Sequence, residues 1–355
     1  MIGNGFDISM GLQTGYSEFY KWYIKQKSND EEINVFKRKI NENLEEKDEE
    51  DRYWADVETG LAISTSNYNY GSNFITCYED IHDNLISYLK NEERIFEDEK
   101  EKLFKISSTI RSQIPKYYDE LSLGEKETFK NLETKNSSQN SRINIICFNY
   151  TKISDLVFDE VFKSTLKNWN GADGKNHSML VGERVHIHGY LDEYPILGVC
   201  KTDSIANQDF LKDPNFKAIM VKAESDKEIG EQWRRKAEGI IKRSDVICVF
   251  GMSLGDYWEW LLSWIKASNE RHIIIFWYEK DYFGKTSLYK KTSKTREIQN
   301  KFFNYSISNE NERDKLRPRV HIVINSQNIF KIPEELKPVR TITLADLRKQ
   351  YEATV

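Results

Sequence analysis

Two histidines stand two residues apart in His186-Ile187-His188-Gly189, at the end of an apolar run. An imidazole titrates near neutral pH, so one of the pair can act as a general base. Strand alternation puts both on one face, which also suits a metal ion, yet no third ligand falls at metal-binding spacing. A histidine at a strand end with its hydrogen bonds satisfied is the plainer alternative. Phe148-Asn149-Tyr150-Thr151 closes a second apolar run. Open α/β sheets gather ligand contacts at the carboxyl ends of their strands. An amide there donates and accepts at once, so Asn149 can hold a ribose hydroxyl or a water, or else cap the following helix.

Glycines mark two further turns. Met1-Ile2-Gly3-Asn4-Gly5-Phe6-Asp7 has the form of the loop that follows the first strand of a nucleotide-binding sheet. Lacking Cβ atoms, Gly3 and Gly5 let backbone N–H groups approach a pyrophosphate, and a following helix adds its positive end. Ile8 stands where the full dinucleotide fingerprint has a third glycine, so an ordinary strand-to-helix turn competes with that reading. Only two residues precede Gly3, whereas a strand usually has about five or six. The loop's anchoring therefore predicts either a truncated first strand or an upstream extension of about five to seven apolar residues. In Phe250-Gly251-Met252-Ser253-Leu254-Gly255-Asp256 the glycines again permit close approach, while Ser253 and Asp256 can bond a ribose or cap a helix. The spacing Gly251-x-Ser253-x-Gly255 has the form of a nucleophile elbow, which keeps a serine hydrolase among the readings.

These motifs need a frame that brings them together. Short apolar runs at 143–148, 185–188, 246–250, 272–277 and 320–324 alternate with helical patterns at 153–162, 230–241 and 257–267. That alternation predicts an α/β fold with a doubly wound, mostly parallel sheet. Residues 1–15 and 142–355 would form this nucleotide-binding core. Residues 16–135 read as a helical insertion, with Ile33, Phe36, Ile40 and Leu44, then Ile81, Leu85, Tyr88 and Leu89, at helical spacing. The insertion is expected to cover or flank the ligand cleft. Within it Trp54 reads as core, and Glu58 as solvated or ion-paired.

The motifs also occur in a familiar order. Gly3-Asn4-Gly5-Phe6-Asp7, Gly11-Leu12-Gln13-Thr14-Gly15-Tyr16, Trp54-Ala55-Asp56-Val57-Glu58, Phe148-Asn149-Tyr150-Thr151, His186-Ile187-His188-Gly189 and Gly251-Met252-Ser253-Leu254-Gly255-Asp256 together resemble the AbiH-type abortive-infection family of bacterial antiphage proteins. The resemblance runs from residue 1 to about 265. That family is similar, more distantly, to the sirtuin-like NAD-cleaving domains of other antiphage systems. The resemblance implies phosphate binding by the loop Gly3-Asn4-Gly5, a further cofactor contact at Phe6, ribose or water positioning by Asn149, and His188 as base. Asp7, Gly251, Ser253 and Asp256 would be secondary cofactor contacts. It implies an effector that hydrolyses NAD+ to ADP-ribose and nicotinamide, answers to a phage-encoded trigger, and acts alone or as a homo-oligomer. Thr151 stands where the NAD-cleaving relatives carry an Asp, which favours a non-catalytic sensor of NAD or ADP-ribose derivatives as the alternative. The zinc module of protein-deacetylating sirtuins is lacking. A hydrolase or nuclease acting on another target is the third reading.

Composition narrows these classes. The 355 residues carry 52 Lys and Arg against 57 Asp and Glu, a net charge of −5 that provides no field to draw in nucleic acid. Basic runs at Arg234-Arg235-Lys236 and at Lys290, Lys291, Lys294 and Arg296 read as solvated helix faces. Cys77, Cys147, Cys200 and Cys248 are widely spaced, without a C-x-x-C pair, so no structural zinc is expected and a reducing cytoplasm fits. No apolar run reaches the roughly 18–20 residues of a membrane span, and the N-terminus has no signal pattern.

Overall fold

A computed structural model describes residues 1–46, 53–135, 140–162, 165–170, 174–193, 195–225, 227, 231–252, 257–280, 282, 287–304 and 306–338. Ser253 and Asp256, two of the expected ligand contacts, lie outside the described residues.

Six strands carry the fold: β1 (Ser141–Cys147), β2 (Lys167–Asn170), β3 (Asn176–His186), β4 (Val246–Phe250), β5 (His272–Trp277) and β6 (Val320–Ile324). They form two ladders, β2-β3-β1 and β4-β5-β6, in which every pair is parallel except β2 with β3. Ile2 joins the ladders through parallel bridges to Cys147 of β1 and Phe250 of β4. The order across the molecule is therefore β2-β3-β1-Ile2-β4-β5-β6, with the first residues of the chain at the centre. The core strand β5, His-Ile-Ile-Ile-Phe-Trp, is buried along almost its whole length, as a β-branched run covered on both faces should be. The short antiparallel β2 was not anticipated. Its residues, Lys-Asn-Trp-Asn, alternate between half-buried and exposed and make an edge strand.

The helices are α1 (Gly5–Ser9), α2 (Tyr16–Tyr23), α3 (Glu31–Leu44), α4 (Val57–Ser64), α5 (Gly71–Glu97), α6 (Lys100–Gln113), α7 (Leu123–Lys135), α8 (Ile153–Phe162), α9 (Pro214–Met220), α10 (Lys222–Ser225), α11 (Glu231–Arg243), α12 (Trp258–Lys266), α13 (Leu288–Phe303) and α14 (Glu310–Leu316). Ile240 and Ile241 of α11, Leu261 of α12 and Phe302 of α13 pack with Val249, Ile273 and Ile275 on one sheet face. Ile106 and Ile110 of α6 and Phe158 of α8 join Ile145 and Cys147 in a second cluster. Phe129 of α7 lies with Ile274, Phe276 and Val323.

The segment read as one helical insertion does two jobs. Helices α2 to α5 build an aromatic cluster of Phe19, Tyr20, Phe36, Trp54 and Phe74 with Leu191, Phe216 and Met220 from the chain after β3. Helices α6 and α7 instead cover the sheet itself. Among the described residues no helix is long and apolar enough to cross a membrane.

Candidate functional site

The loop after β1 and the first helix meet over a single carboxylate. Asn149 Nδ2 donates to Asp7 Oδ1 at 2.8 Å, and Thr151 Oγ1 donates to Asp7 Oδ2 at 2.6 Å. All three residues are buried. Burial pushes the Asp7 carboxyl up to about 7, while Thr151, Asn149 and the positive His186 pull the other way. Thr151 thus holds one oxygen of the buried Asp7 carboxylate.

His186 ends β3 and turns toward α8. Its Nδ1 lies 3.0 Å from the Asn149 carbonyl oxygen, and its Nε2 lies 3.1 Å from Asp155 Oδ2 and 3.2 Å from Ser154 Oγ. The ring stacks on Tyr190 at 4.3 Å. Burial opposes its charge, but Cys147 and the Asp155 carboxylate outweigh that and hold the imidazole up to about 10. An imidazolium donates from both nitrogens, which matches a carbonyl on one side and a carboxylate on the other.

His188 lies beyond the end of β3, in the turn that follows. Its Nε2 is 3.3 Å from Tyr257 Oη, and the rings of Phe148, Tyr150 and Tyr257 surround it. Burial, with Lys222 and His186 adding positive charge, pushes it well below its ordinary value, so it is neutral at pH 7. The expectation that both histidines share one strand face is therefore corrected: the strand stops at His186, and the two rings have different partners. Among the described residues no group of three or more His, Cys, Asp or Glu could hold a metal ion.

The glycine loop is built for contact with protein. Gly3 N donates to Phe250 O, Gly5 N to Gly251 O and Phe6 N to Gly3 O, each at 2.9 Å. A Cβ on Gly5 would sit 2.4 Å from Gly251 Cα, and Gly251 has φ +63. Two backbones touch here, which only glycines allow. The expectation that these N–H groups await a pyrophosphate is corrected, because the protein's own carbonyls take them. Asn4 is likewise committed, its amide donating to Thr14 O at 2.8 Å and accepting from Thr14 Oγ1 at 2.5 Å. Phe6 is buried, edge-on to Phe330 at 5.0 Å.

A second buried charge cluster adjoins His188. Lys222 Nζ, at the start of α10, lies 2.7 Å from Glu58 Oε2 of α4, with side chains 8% and 19% exposed. Burial pushes the Glu58 carboxyl up while Lys222 pulls it down. Burial also works against the Lys222 charge, and Glu58 overrides it. Glu58 was visible in Trp54-Ala55-Asp56-Val57-Glu58, and Trp54 is core as expected. Lys222 had no local signal, since a lysine in a charged stretch looks the same whether solvated or buried.

Fold and site together define a mixed α/β protein whose parallel strands end in a buried polar cluster assembled from distant segments. The chain matches the family model described as "Bacteriophage abortive infection AbiH" over residues 1–278, and it belongs to that family. The match includes Asp7, Glu58, Asn149, Thr151, His186, His188 and Lys222. The family ties the chain to abortive infection in response to bacteriophage. No curated protein and no solved structure matches it.

Proposed function

We propose that this AbiH-family chain is an abortive-infection effector that hydrolyses NAD+, releasing nicotinamide from ADP-ribose in the cytoplasm of infected cells. The observation that carries the reading is the buried Asp7, Asn149 and Thr151 cluster at the carboxyl end of β1, which the pairing of β1 with β3 sets beside the His188 turn. Its setting supports a dinucleotide. With Ile2 counted as a strand, the order β3-β1-Ile2-β4-β5-β6 is that of doubly wound dinucleotide-binding sheets, and the Gly3 and Gly251 turns flank the point where the order reverses.

The reaction breaks the bond between ribose C1′ and the pyridinium nitrogen. Nicotinamide departs neutral, water adds to C1′, and one proton is released. In this reading Asn149, oriented by Asp7, holds the ribose or the water, and neutral His188 accepts the proton. Ser253 and Asp256 are secondary contacts in this reading. A phage-encoded trigger would open the site. The test is to mix the purified protein with NAD+ and follow free nicotinamide by chromatography. Turnover abolished by His188→Ala supports the reading, and no turnover by the folded protein, with or without lysate of phage-infected cells, rejects it.

A sensor that binds NAD or an ADP-ribose derivative without cleaving it is the second reading. It is favoured by Thr151, which stands where the NAD-cleaving relatives carry an Asp and donates its hydroxyl to Asp7. Calorimetric binding of ADP-ribose without nicotinamide release would select it.

A further inference from the structure

Met1, Ile2 and Gly3 make one rung between the two central strands. Ile2 N donates to Ile146 O and Phe148 N to Ile2 O, each at 2.9 Å. On the other side Phe250 N donates to Met1 O at 3.0 Å, and the Met1 amino group donates to Cys248 O at 2.7 Å. Beyond Met1, toward the amino ends of β1 and β4, the strands flank a cleft of about 720 Å³. Ile143 and Ile145 line it from β1, and Val246 and Cys248 from β4. Ile240 and Ile241 of α11 contribute to its lining, and so do Phe158 of α8 and Phe330. Arg142, Glu183, Arg243 and Asp245 also line it. Val246 and Cys248 are only partly buried although they lie in a central strand.

The strands' two-residue repeat fixes what the cleft offers. Ile146 and Phe148 turn their backbone groups toward Ile2, so Asn144 and Arg142 turn theirs toward the cleft. Cys248 and Phe250 face Met1 and Gly3, so Val246 faces the cleft from the opposite wall. Ile2 stands opposite Cys147 and Phe250, so about four or five further residues at ~3.3 Å each would reach the amino ends of both strands. Apolar groups supplied by helices of both sheet faces call for a run that is apolar throughout rather than alternating.

We propose that this cleft is a strand-acceptor site: it takes an extended, apolar segment of about four to five residues, parallel to β1 and β4 and joined to Met1 by a peptide bond. Covalent continuity is favoured over a separate peptide by the position of the Met1 nitrogen. That atom is buried and already bonded to Cys248 O, and burial disfavours its charge. As a peptide N–H it keeps the same bond without the charge, whereas a separate peptide would bury a carboxylate against it. The occupied strand would anchor the Gly3 to Asp7 loop from behind.

The test compares the full chain with versions carrying, directly before Met1, Val-Val-Ile-Leu-Val, the same segment with proline next to Met1, or Gly-Ser-Gly-Ser-Gly. The apolar extension is expected to raise Tm by about 5 °C. It should also slow hydrogen exchange of the Ile146 and Cys248 amides about tenfold or more. Proline, which removes the donor aimed at Asn144 O, should lose most of the gain, and the Gly-Ser version should show none. The same apolar peptide added in trans should leave Tm and exchange unchanged. An apolar extension that protects neither strand, or protection given equally by the Gly-Ser version or by the free peptide, would overturn the proposal.

Discussion

Thr151 Oγ1 donates a 2.6 Å hydrogen bond to Asp7 Oδ2, tying the start of the loop after β1 to a residue 144 positions earlier in the chain. Asn149 holds the other oxygen, so one buried carboxylate fixes α1 against the carboxyl end of the sheet. A buried acid with neutral donors has a pH signature. The folded-state value of Asp7 is raised to about 7 from 3.8. Its stabilising contribution is therefore complete below pH 3.8 and is lost as pH rises through 7. Urea melts of the wild type between pH 4 and 8 should show this fall in stability, and Asp7→Asn should flatten it while keeping a hydrogen-bonding side chain. Parallel pH profiles for the two proteins would remove Asp7 from the account.

Gly5 and Gly251 make a second close approach, with backbone meeting backbone. Gly5→Ala puts a Cβ 2.4 Å from Gly251 Cα, which no side-chain rotation relieves. The expected cost is about 3 kcal/mol or more, in the range of overpacked cores. Gly124→Ala is the control, since a Cβ there meets nothing within 4 Å, and its effect should stay within about 0.5 kcal/mol. Chemical denaturation of the two variants checks the difference. Near-equal stability would mean that the Gly3 to Asp7 loop does not pack on Gly251.

Much of this was legible in the sequence, and the failures have physical causes. Apolar runs marked β5 and β6, which are buried along nearly their whole length, and β4, whose five residues are apolar although alternate ones are only partly buried. Asn149 was marked by its place after an apolar run, whereas strand alternation misplaced His188, because β3 ends at His186 and His188 lies in the turn that follows. The partners of the glycine loop were not readable, because a Gly that admits a phosphate and a Gly that admits another backbone leave the same mark. Lys222 escaped because burial of a charge depends on Glu58, 164 residues away. The split of residues 16–135 into a cluster beyond the strand ends and a cover for the sheet was hidden for a similar reason. Amphipathic spacing reports that a helix has a buried face and says nothing of what it faces.

The Lys222 and Glu58 pair should behave as a buried ion pair and not as a surface one. Lys222→Met or Glu58→Leu alone leaves a buried charge without its partner and should cost about 3–5 kcal/mol. The double replacement should recover most of that loss, because two apolar side chains avoid the desolvation that the pair must overcome. A double-mutant cycle by denaturant melts measures the coupling. Single losses under about 1 kcal/mol would assign the pair to the solvated class.

The two histidines separate chemistry from architecture. His188 is neutral and ringed by aromatics, so in the NAD+ reading His188→Ala should lower nicotinamide release by about 10²–10⁴-fold. Asn149→Ala should lower it similarly. Asn149→Ala should also cost about 1–3 kcal/mol, because Asp7 loses one of its two donors. His186→Gln is the contrast. His186 is locked between the Asn149 carbonyl and Asp155, and its raised value gives stability that is full below pH 6.5 and lost as pH climbs through about 10. That variant should lose stability at pH 7, flatten the alkaline limb of the pH profile, and keep a larger share of turnover per folded molecule than either Asn149→Ala or His188→Ala. Turnover assays corrected for folded fraction by circular dichroism decide the matter. Wild-type release by both Asn149→Ala and His188→Ala would reject the assigned roles, and a loss confined to His186→Gln would move the chemistry to the α8 side of β1.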